Sequence, residues 1–263
     1  MMIGYKTAVW RNVLGQEIVF DNVRFFVESI DMTGTTGIHT VESLMMSDGQ
    51  ETIRHQLGAK TIPCSFAVKD AEDDIYMQHH IAQVLSPLIP GVLTVYTRDS
   101  KYTIECYPQD APGFTRDSGV DFVYRFNVDF VADYPYWYKD EQVRKSYRNL
   151  PAINSRKTIV SGCPFDIPPE IYIPVCSETM QIQLYPTGSS SQGFRIFAHD
   201  YPVIVRCKDF KVVRADTGAD CSQIIDATAE LDDIRIRYGK NTVVVSPDTG
   251  VEFRYYYLSM GEV

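Results

Sequence analysis

Residues 121–140 read DFVYRFNVDFVADYPYWYKD, and this stretch predicts more of the fold than any other. From Phe122 to Ala132, large apolar residues alternate with mostly polar ones. Side chains of a β-strand point to opposite faces with a period of two. The pattern therefore predicts one long strand with an apolar side and a polar side. We expect the strand to end before Pro135, because proline cannot donate a hydrogen bond to a sheet.

An aromatic cluster and a polar, basic run follow the predicted strand. The cluster comprises Tyr134, Pro135, Tyr136, Trp137 and Tyr138, and the run extends from Lys139 to Arg148. We interpret the cluster as the junction between two domains, where its rings fix one domain relative to the other. The alternative is a platform on which Tyr134, Tyr136, Trp137 and Tyr138 stack against sugars or bases.

The chain length favours two domains. A single hydrophobic core rarely grows beyond roughly 250–300 residues, and this chain has 263. The basic run lies near the middle of the chain, and the segment from Lys139 to Ile167 carries few strand signals. We therefore place the domains at residues 1–148 and 149–263.

Composition excludes several classes of protein. Apolar residues make up 44% of the chain and charged residues 22%, as in globular proteins. The first 148 residues carry 14 basic and 20 acidic side chains, and the rest carry 11 and 14, which sums to the net charge of −9. Neither half has the positive charge expected of a specific nucleic-acid binder.

Membrane and metal partners are not expected either. No apolar run reaches the roughly 18–20 residues that span a membrane, and residues 1–12 lack the apolar core of a signal peptide. These features predict synthesis in the cytoplasm. The six cysteines are widely spaced, which favours buried, reduced thiols over zinc ligands.

The N-terminal domain is predicted to be mainly β with one α-helix and a projecting β-hairpin arm. Strands are expected at residues 5–10, 17–20, 24–31, 60–68, 91–97 and 101–107. The helix is expected over Asp70–Ser86, because one helical face would carry apolar side chains: Met77, Ile81, Val84, Leu85 and Leu88.

The arm is predicted from an Asp-Gly pair, Asp48-Gly49, between strand-forming runs at residues 41–46 and 52–56. Its tip is apolar, which is unusual for a segment facing water. We expect the tip to form a contact between subunits through Leu44, Met45, Met46, Asp48 and Gly49. The alternative is that the methionines cover the core of their own domain.

The C-terminal domain is predicted to be an antiparallel β-sandwich. Short strands are expected at residues 170–175, 180–185, 194–199, 203–207, 211–215, 234–238, 242–245 and 251–258. Glycine, proline, aspartate or asparagine separates them, and no helical period intervenes.

No catalytic motif is present. The sequence lacks a GxSxG elbow, a P-loop, a GxGxxG loop and an HExxH helix. Cys207 and His199 could approach each other on neighbouring strands, as a nucleophile and its base would. We nevertheless predict no enzyme activity, no catalytic residues, no metal and no cofactor.

The order of these elements resembles the distal tail proteins (Dit) of long-tailed bacteriophages, the siphovirus-type tail component family. The strand rich in Phe and Val that runs into Asp-x-Pro-aromatic, Phe126–Trp137, matches the end of that family's N-terminal domain. Tyr238, Gly239 and Asn241 match its yGxN-type turn before a closing aromatic strand. The resemblance covers nearly the whole chain.

The resemblance implies a structural protein of the virion, in the tail tip or baseplate hub. The N-terminal domains would form a homo-hexameric ring, and galectin-like C-terminal sandwiches would anchor other proteins. Expected partners are the tail tube protein, a tail-associated hub or lysin protein, and receptor-binding or other baseplate proteins. Phage DNA would pass through the ring without specific binding. The alternatives are a carbohydrate-binding β-sandwich module and a hydrolase.

Overall fold

A computed structural model describes residues 7–33, 37–43, 50–69, 74–116, 123–153, 156–226, 228–247 and 250–260. The chain divides into two compact units. Unit 1 comprises residues 1–140 and 259–263, and unit 2 comprises residues 141–258. The domain boundary predicted after Arg148 lies eight residues beyond this division.

Unit 1 is built from strands and one helix. In chain order these are Thr7–Asn12 (β1), Glu17–Phe20 (β2), Phe25–Ile30 (β3), Gly37–Ser43 (β4), Gln50–Leu57 (β5), Lys60–Lys69 (β6), Asp74–Val84 (α1), Gly91–Tyr96 (β7), Lys101–Pro108 (β8), Gly113–Arg116 (β9), Val123–Ala132 (β10) and the start of Trp137–Ser146 (β11). The fold is therefore mainly β, as the sequence predicts.

Strand β10 lies in the middle of unit 1. It pairs antiparallel with β6 along its whole length, from Val123 opposite Lys69 to Ala132 opposite Lys60. On its other side it pairs first with β9 and then, at Phe130 and Val131, with β8. The predicted apolar row of β10 is buried. The long alternating strand predicted from the sequence is confirmed.

The core of unit 1 is aromatic. Phe20 stacks on Phe66 with ring centroids 3.9 Å apart, and Phe66 lies 5.5 Å from Phe126 of β10. Further along β10, Phe130 lies 4.8 Å from Trp10 of β1. Large rings bury much apolar surface each, so this row ties β1, β2, β6 and β10 together.

Trp10 also fixes the end of α1. Its Nε1–H donates to the carbonyl of Val84 at 3.1 Å, at the last residue of the helix. The final carbonyls of a helix have no partner within the helix, so this bond satisfies a group that burial would otherwise leave unpaired. The contact holds α1 against the core of unit 1.

The predicted helical face is correct except at its end. Ile81, Val84 and Leu85 are completely buried, whereas Leu88 is 89% exposed. The helix ends at Val84, three residues before Pro87. Leu88 therefore lies beyond the last turn and is not on the helical face. The predicted helix start at Asp70 lies outside the described residues.

Unit 2 contains two sheets. Its remaining strands are Ala152–Ile153 (β12), Arg156–Ser161 (β13), Glu170–Ile173 (β14), Met180–Pro186 (β15), Gln192–Ile196 (β16), Val203–Arg206 (β17), Lys211–Arg214 (β18), Gly239–Ser246 (β19) and Glu252–Ser259 (β20). One sheet has the order β12-β13-β19-β15-β16, and the second is the part of a longer sheet that runs β18-β17-β14-β20-β11. Alternate residues of both sheets are buried, as in a sandwich. The predicted antiparallel β-sandwich is confirmed.

The segment Lys139–Arg148 carries few strand signals in the sequence, yet it is largely a strand. Most of it belongs to β11, which continues to Ser146. Charged residues occupy both faces of this strand, so it shows no apolar alternation. Its hydrogen bonds to neighbouring strands come from the backbone, which the side-chain pattern does not report.

The prediction of a strand at Ile234–Tyr238 is wrong. Only Ile236 makes a bridge, opposite Ile167. The buried side chain of Asn241 accepts from the N–H of Arg237 at 2.9 Å and donates to its carbonyl at 2.8 Å. A side chain thus replaces the strand partner. Gly239, with φ +86°, starts β19 where a turn was predicted.

The close approach of β1 and β7 depends on Gly91. A Cβ at this position would lie 2.4 Å from the carbonyl oxygen of Arg11 and 2.8 Å from the ring of Trp10. We predict that Gly91→Ala lowers the free energy of unfolding by about 1–3 kcal/mol, because the strands must separate. Urea denaturation followed by tryptophan fluorescence measures this change.

Gly113→Ala is the matched control within unit 1. No heavy atom lies within 4 Å of a Cβ placed at Gly113. We expect this variant to unfold at the wild-type urea concentration. Equal destabilisation by the two substitutions would contradict the packing described around Gly91.

Candidate interaction surfaces

The aromatic cluster divides into a buried part and a partly exposed part. Trp137 is completely buried in the core of unit 1, where its Nε1–H donates to the carbonyl of Met32 at 3.2 Å. Tyr134, Tyr136 and Tyr138 are half-buried, and the ring of Tyr134 lies 5.1 Å and 6.3 Å from the other two. Trp137 cannot stack on a sugar, so the platform proposed for it is excluded. The role of Tyr134, Pro135, Tyr136, Trp137 and Tyr138 at a domain junction stays a prediction.

The predicted arm is a two-stranded sheet. Strand β4 pairs antiparallel with β5, from Gly37 opposite Leu57 to Ser43 opposite Gln50, with an irregularity between Thr40 and Val41. Among the described strands, β4 and β5 pair only with each other. The tip residues Leu44, Met45, Met46, Asp48 and Gly49 lie outside the described residues. Their role as a subunit contact stays a prediction.

Loops of unit 2 form one bridge each with two of its outer strands, β16 and β18. Ile225 bridges to Ile196 at the free side of β16, and Asp220 bridges to Val213 at the free side of β18. Covered edges cannot accept a strand from another molecule as an open edge can. A free-standing hairpin such as β4–β5 is only marginally stable in water without further packing.

The amino group of Lys60 lies buried beside the core of unit 1. Lys60 at the start of β6 is completely buried, and its Nζ donates to the carbonyl of Met260 at 2.5 Å. Burial disfavours the charged form and lowers the pKa of Lys60 to about 8, although the charge of Asp31 acts in the opposite direction.

The cysteines are packing residues. All six are free and buried, and burial raises the pKa of Cys64, Cys106 and Cys207. A thiol that stays protonated is a poor nucleophile. His199 lies opposite Cys176 in a backbone bridge, and its Nδ1 is 2.7 Å from the carbonyl of Tyr201. These contacts do not make Cys207 and His199 a nucleophile–base pair.

The described part of the chain contains neither a metal-binding cluster nor a membrane-spanning helix. Across the described ranges, no group of three or more His, Cys, Asp or Glu side chains is placed to hold a metal ion. Likewise, no helix in the described part of the chain has the length and apolar character needed to cross a membrane.

The fold is that of a phage Dit protein. The Dit protein of phage SPP1, described as a paradigm of the hub adsorption apparatus in phages that infect Gram-positive bacteria, superposes with a TM-score of 0.68. The match covers 97% of this chain and 99% of that one, at 11% sequence identity. The similarity therefore includes both units.

Chains of the phage p2 baseplate in its activated conformation have the same fold. With Sr bound, the TM-score is 0.56 at 10% identity over 96% of this chain and 98% of the other. With Ca bound, the TM-score is 0.57 at 10% identity over 98% and 99%. Neither a family model nor a curated protein sequence matches this chain.

The position of Trp137 predicts its effect on stability. We expect Trp137→Ala to lower the free energy of unfolding by about 3–5 kcal/mol, because it leaves a large cavity and an unpaired carbonyl at Met32. Trp137→Phe should cost less, since it keeps most of the ring volume and loses only the hydrogen bond. Chemical denaturation monitored by circular dichroism measures both values. A wild-type midpoint for Trp137→Ala would contradict the burial of this side chain.

The lowered pKa of Lys60 predicts that the stability of the protein depends on pH. Its pKa is about 8 in the folded protein and 10.5 ordinarily. Between pH 8 and pH 10.5, the unfolded chain therefore binds more protons than the folded chain. The cost of burying the charge is therefore constant below pH 8 and decreases as the pH rises. We expect the stability of the wild type relative to Lys60→Met to increase by about 3 kcal/mol from pH 8 to pH 10.5.

The comparison with Lys60→Met removes the contribution of the other titrating groups, which both proteins share. Denaturation midpoints measured at intervals of pH give the two curves. Parallel curves over this range would show that Lys60 is not a buried ammonium group.

Proposed function

We propose that this chain is a structural protein of a phage tail tip, where it forms a homo-hexameric ring. The ring joins the tail tube to the adsorption apparatus. One observation carries the proposal: the fold similarity to SPP1 Dit extends over 97% of this chain and 99% of the other. A likeness confined to one sandwich would be weak support, because a single fold serves many functions.

The pairing of strands supports assembly through unit 1. Strands β4 and β5 form a hairpin that pairs with no other described strand, and the tip of this arm has the sequence SLMMSDG at residues 43–49. A closed ring needs a heterologous contact, in which one surface of a subunit meets a different surface of the next. A projecting arm with an apolar tip is suited to be one of these two surfaces.

Unit 2 would then bind the other baseplate components. Loops already bridge to its outer strands β16 and β18, which favours side-chain contacts over strand pairing at these two strands. Expected partners are receptor-binding or other baseplate proteins, and the tail tube and the tail-associated hub or lysin protein would meet the ring. We propose no catalytic role, no cofactor and no membrane partner for the chain.

The negative net charge of the chain favours a ring channel that does not bind DNA. The chain carries a net charge of −9. Affinity for DNA comes largely from basic side chains that neutralise phosphates, so an acidic ring would let phage DNA pass without holding it. The protein would be made in the cytoplasm of the host bacterium and become part of the virion.

Two variants of the arm test the assembly. In the first, a short Gly-Ser linker replaces residues 38–56. In the second, Leu44, Met45 and Met46 are all changed to Ser, which keeps the strands and removes the apolar tip. We expect the wild type to have the mass of six subunits by size-exclusion chromatography with light scattering, and both variants to have the mass of one.

Val160→Ser is the control for loss of an exposed apolar side chain. Val160 is 60% exposed on β13 of unit 2, so we expect its substitution to leave the mass unchanged. Circular dichroism checks that each variant keeps its strands. Arm variants that assemble like the wild type would contradict the role assigned to the arm.

A further inference from the structure

A polar groove lies on the open face of the five-stranded sheet of unit 2. Its volume is about 470 Å³, which is within the usual range for small-ligand sites. The floor is formed by β15 and β16, where Gln181 lies opposite Arg195 and Gln183 lies opposite Gly193. Directly opposite residues of an antiparallel pair point to the same face, so these four positions share one surface.

The wall of the groove is a loop attached to the outer side of β16. The N–H of Asp226 donates to the carbonyl of Arg195 at 2.9 Å, and the N–H of Phe197 donates to the carbonyl of Ile224 at 2.7 Å. The N–H of Ala229 then donates to the carbonyl of Asp226 at 2.9 Å and closes the turn. Backbone bonds therefore set the distance between wall and floor.

One glutamine presents a fixed donor to the groove. The Oε1 of Gln183 accepts from the hydroxyl of Tyr185 at 2.7 Å, so its oxygen is engaged and its Nε2 group is left to donate. Gln192 lies opposite the buried Leu184 and therefore belongs to the inner face of the sheet. There its Oε1 accepts from the N–H of Arg235 at 2.9 Å.

The wall supplies the complementary acceptor. The Oδ1 of Asp226 accepts from the N–H of Thr228 at 3.0 Å and from its hydroxyl at 2.9 Å. These two bonds hold the pKa of Asp226 below its ordinary value, so the side chain is a carboxylate at neutral pH. The charge of the neighbouring Arg195 also lowers the pKa of Asp226, and both residues line the groove.

The balance of charge decides which ligands fit. Among the described lining residues, Arg195 is the cation and Asp226 the anion, and the other polar groups are amides and hydroxyls. A phosphate or sulfate would meet the carboxylate, and an apolar ligand would leave the amides and charges unpaired. Hydroxyl groups both donate and accept, so adjacent hydroxyls can pair with both types of group.

An aromatic ring flanks the polar groups. Tyr185 is 39% exposed on the same face of β15 as Gln181 and Gln183. Its hydroxyl bonds to Gln183, which holds the ring beside the groove. Aromatic faces pack well against the apolar C–H face of a ring whose edges carry hydroxyls.

We infer that this groove binds a neutral hexose unit of a glycan. Arg195 and the amide group of Gln183 donate to hydroxyl oxygens of the sugar, and Asp226 accepts from a neighbouring hydroxyl. Tyr185 packs against the face of the sugar ring. The site lies in unit 2 and does not use Tyr136 or Trp137.

The inference goes beyond the proposed structural role and does not depend on ring formation. All the groups that form the groove belong to unit 2. If the proposed tail-tip location is correct, the glycan would be a polysaccharide of the host surface. The mass of the same protein samples tests ring formation separately, so either idea can fail alone.

The test is saturation-transfer difference NMR on the full chain. The probes are the methyl glycosides of glucose, galactose and mannose, and di-N-acetylchitobiose, each titrated to give a dissociation constant. We expect at least one probe to bind with a constant on the order of 1 mM, which is typical of a single sugar unit with few contacts. Inorganic phosphate should not compete.

Arg195→Gln should weaken this binding about tenfold, since it removes hydrogen bonds from a charged donor. Gln181→Ala is a second variant on the same floor, in case the first disturbs the fold. Arg156→Gln is the matched control, because Arg156 is exposed on β13 in the same sheet. The Arg156→Gln variant should bind the sugar probes with the dissociation constants of the wild type.

Two results would overturn the inference. One is the absence of transfer to every neutral probe in the wild type. The other is binding that Arg195→Gln and Gln181→Ala both leave unchanged while each keeps the wild-type circular dichroism spectrum.

Discussion

The pairing of β10 on both sides is the constraint on which unit 1 depends. Its backbone is bonded to β6 on one side and to β9 and β8 on the other. Its buried face carries Phe126 and Phe130, which meet Phe66 and Trp10. A shift of this strand by one residue would turn the aromatic row toward solvent, so burial fixes the register. Trp10, held by this row, in turn fixes α1.

The two units differ in what they leave unpaired. In unit 2, single bridges join loop residues to the free sides of β16 and β18. In unit 1, β4 and β5 form a sheet of two strands. Such a sheet gains stability when it packs on another surface.

The sequence predicts those elements whose side-chain pattern follows from burial. β10 is predicted correctly because one face is apolar, whereas β11 is missed because its polar side chains carry no such pattern. Burial of Trp137 could not be predicted, since an aromatic cluster looks alike in a core and at a junction. The groove was missed because Gln183, Arg195 and Asp226 are far apart in sequence and meet only through register and loop contacts. The alternation of Gln181 and Gln183 on a strand was the one signal available.

The central claim is that this chain closes into a ring. Negative-stain electron microscopy of the purified full-length protein tests it most directly, because class averages report symmetry as well as size. The account predicts closed rings with six-fold symmetry and an open centre. Single particles at every protein concentration, or open filaments in place of rings, would contradict it.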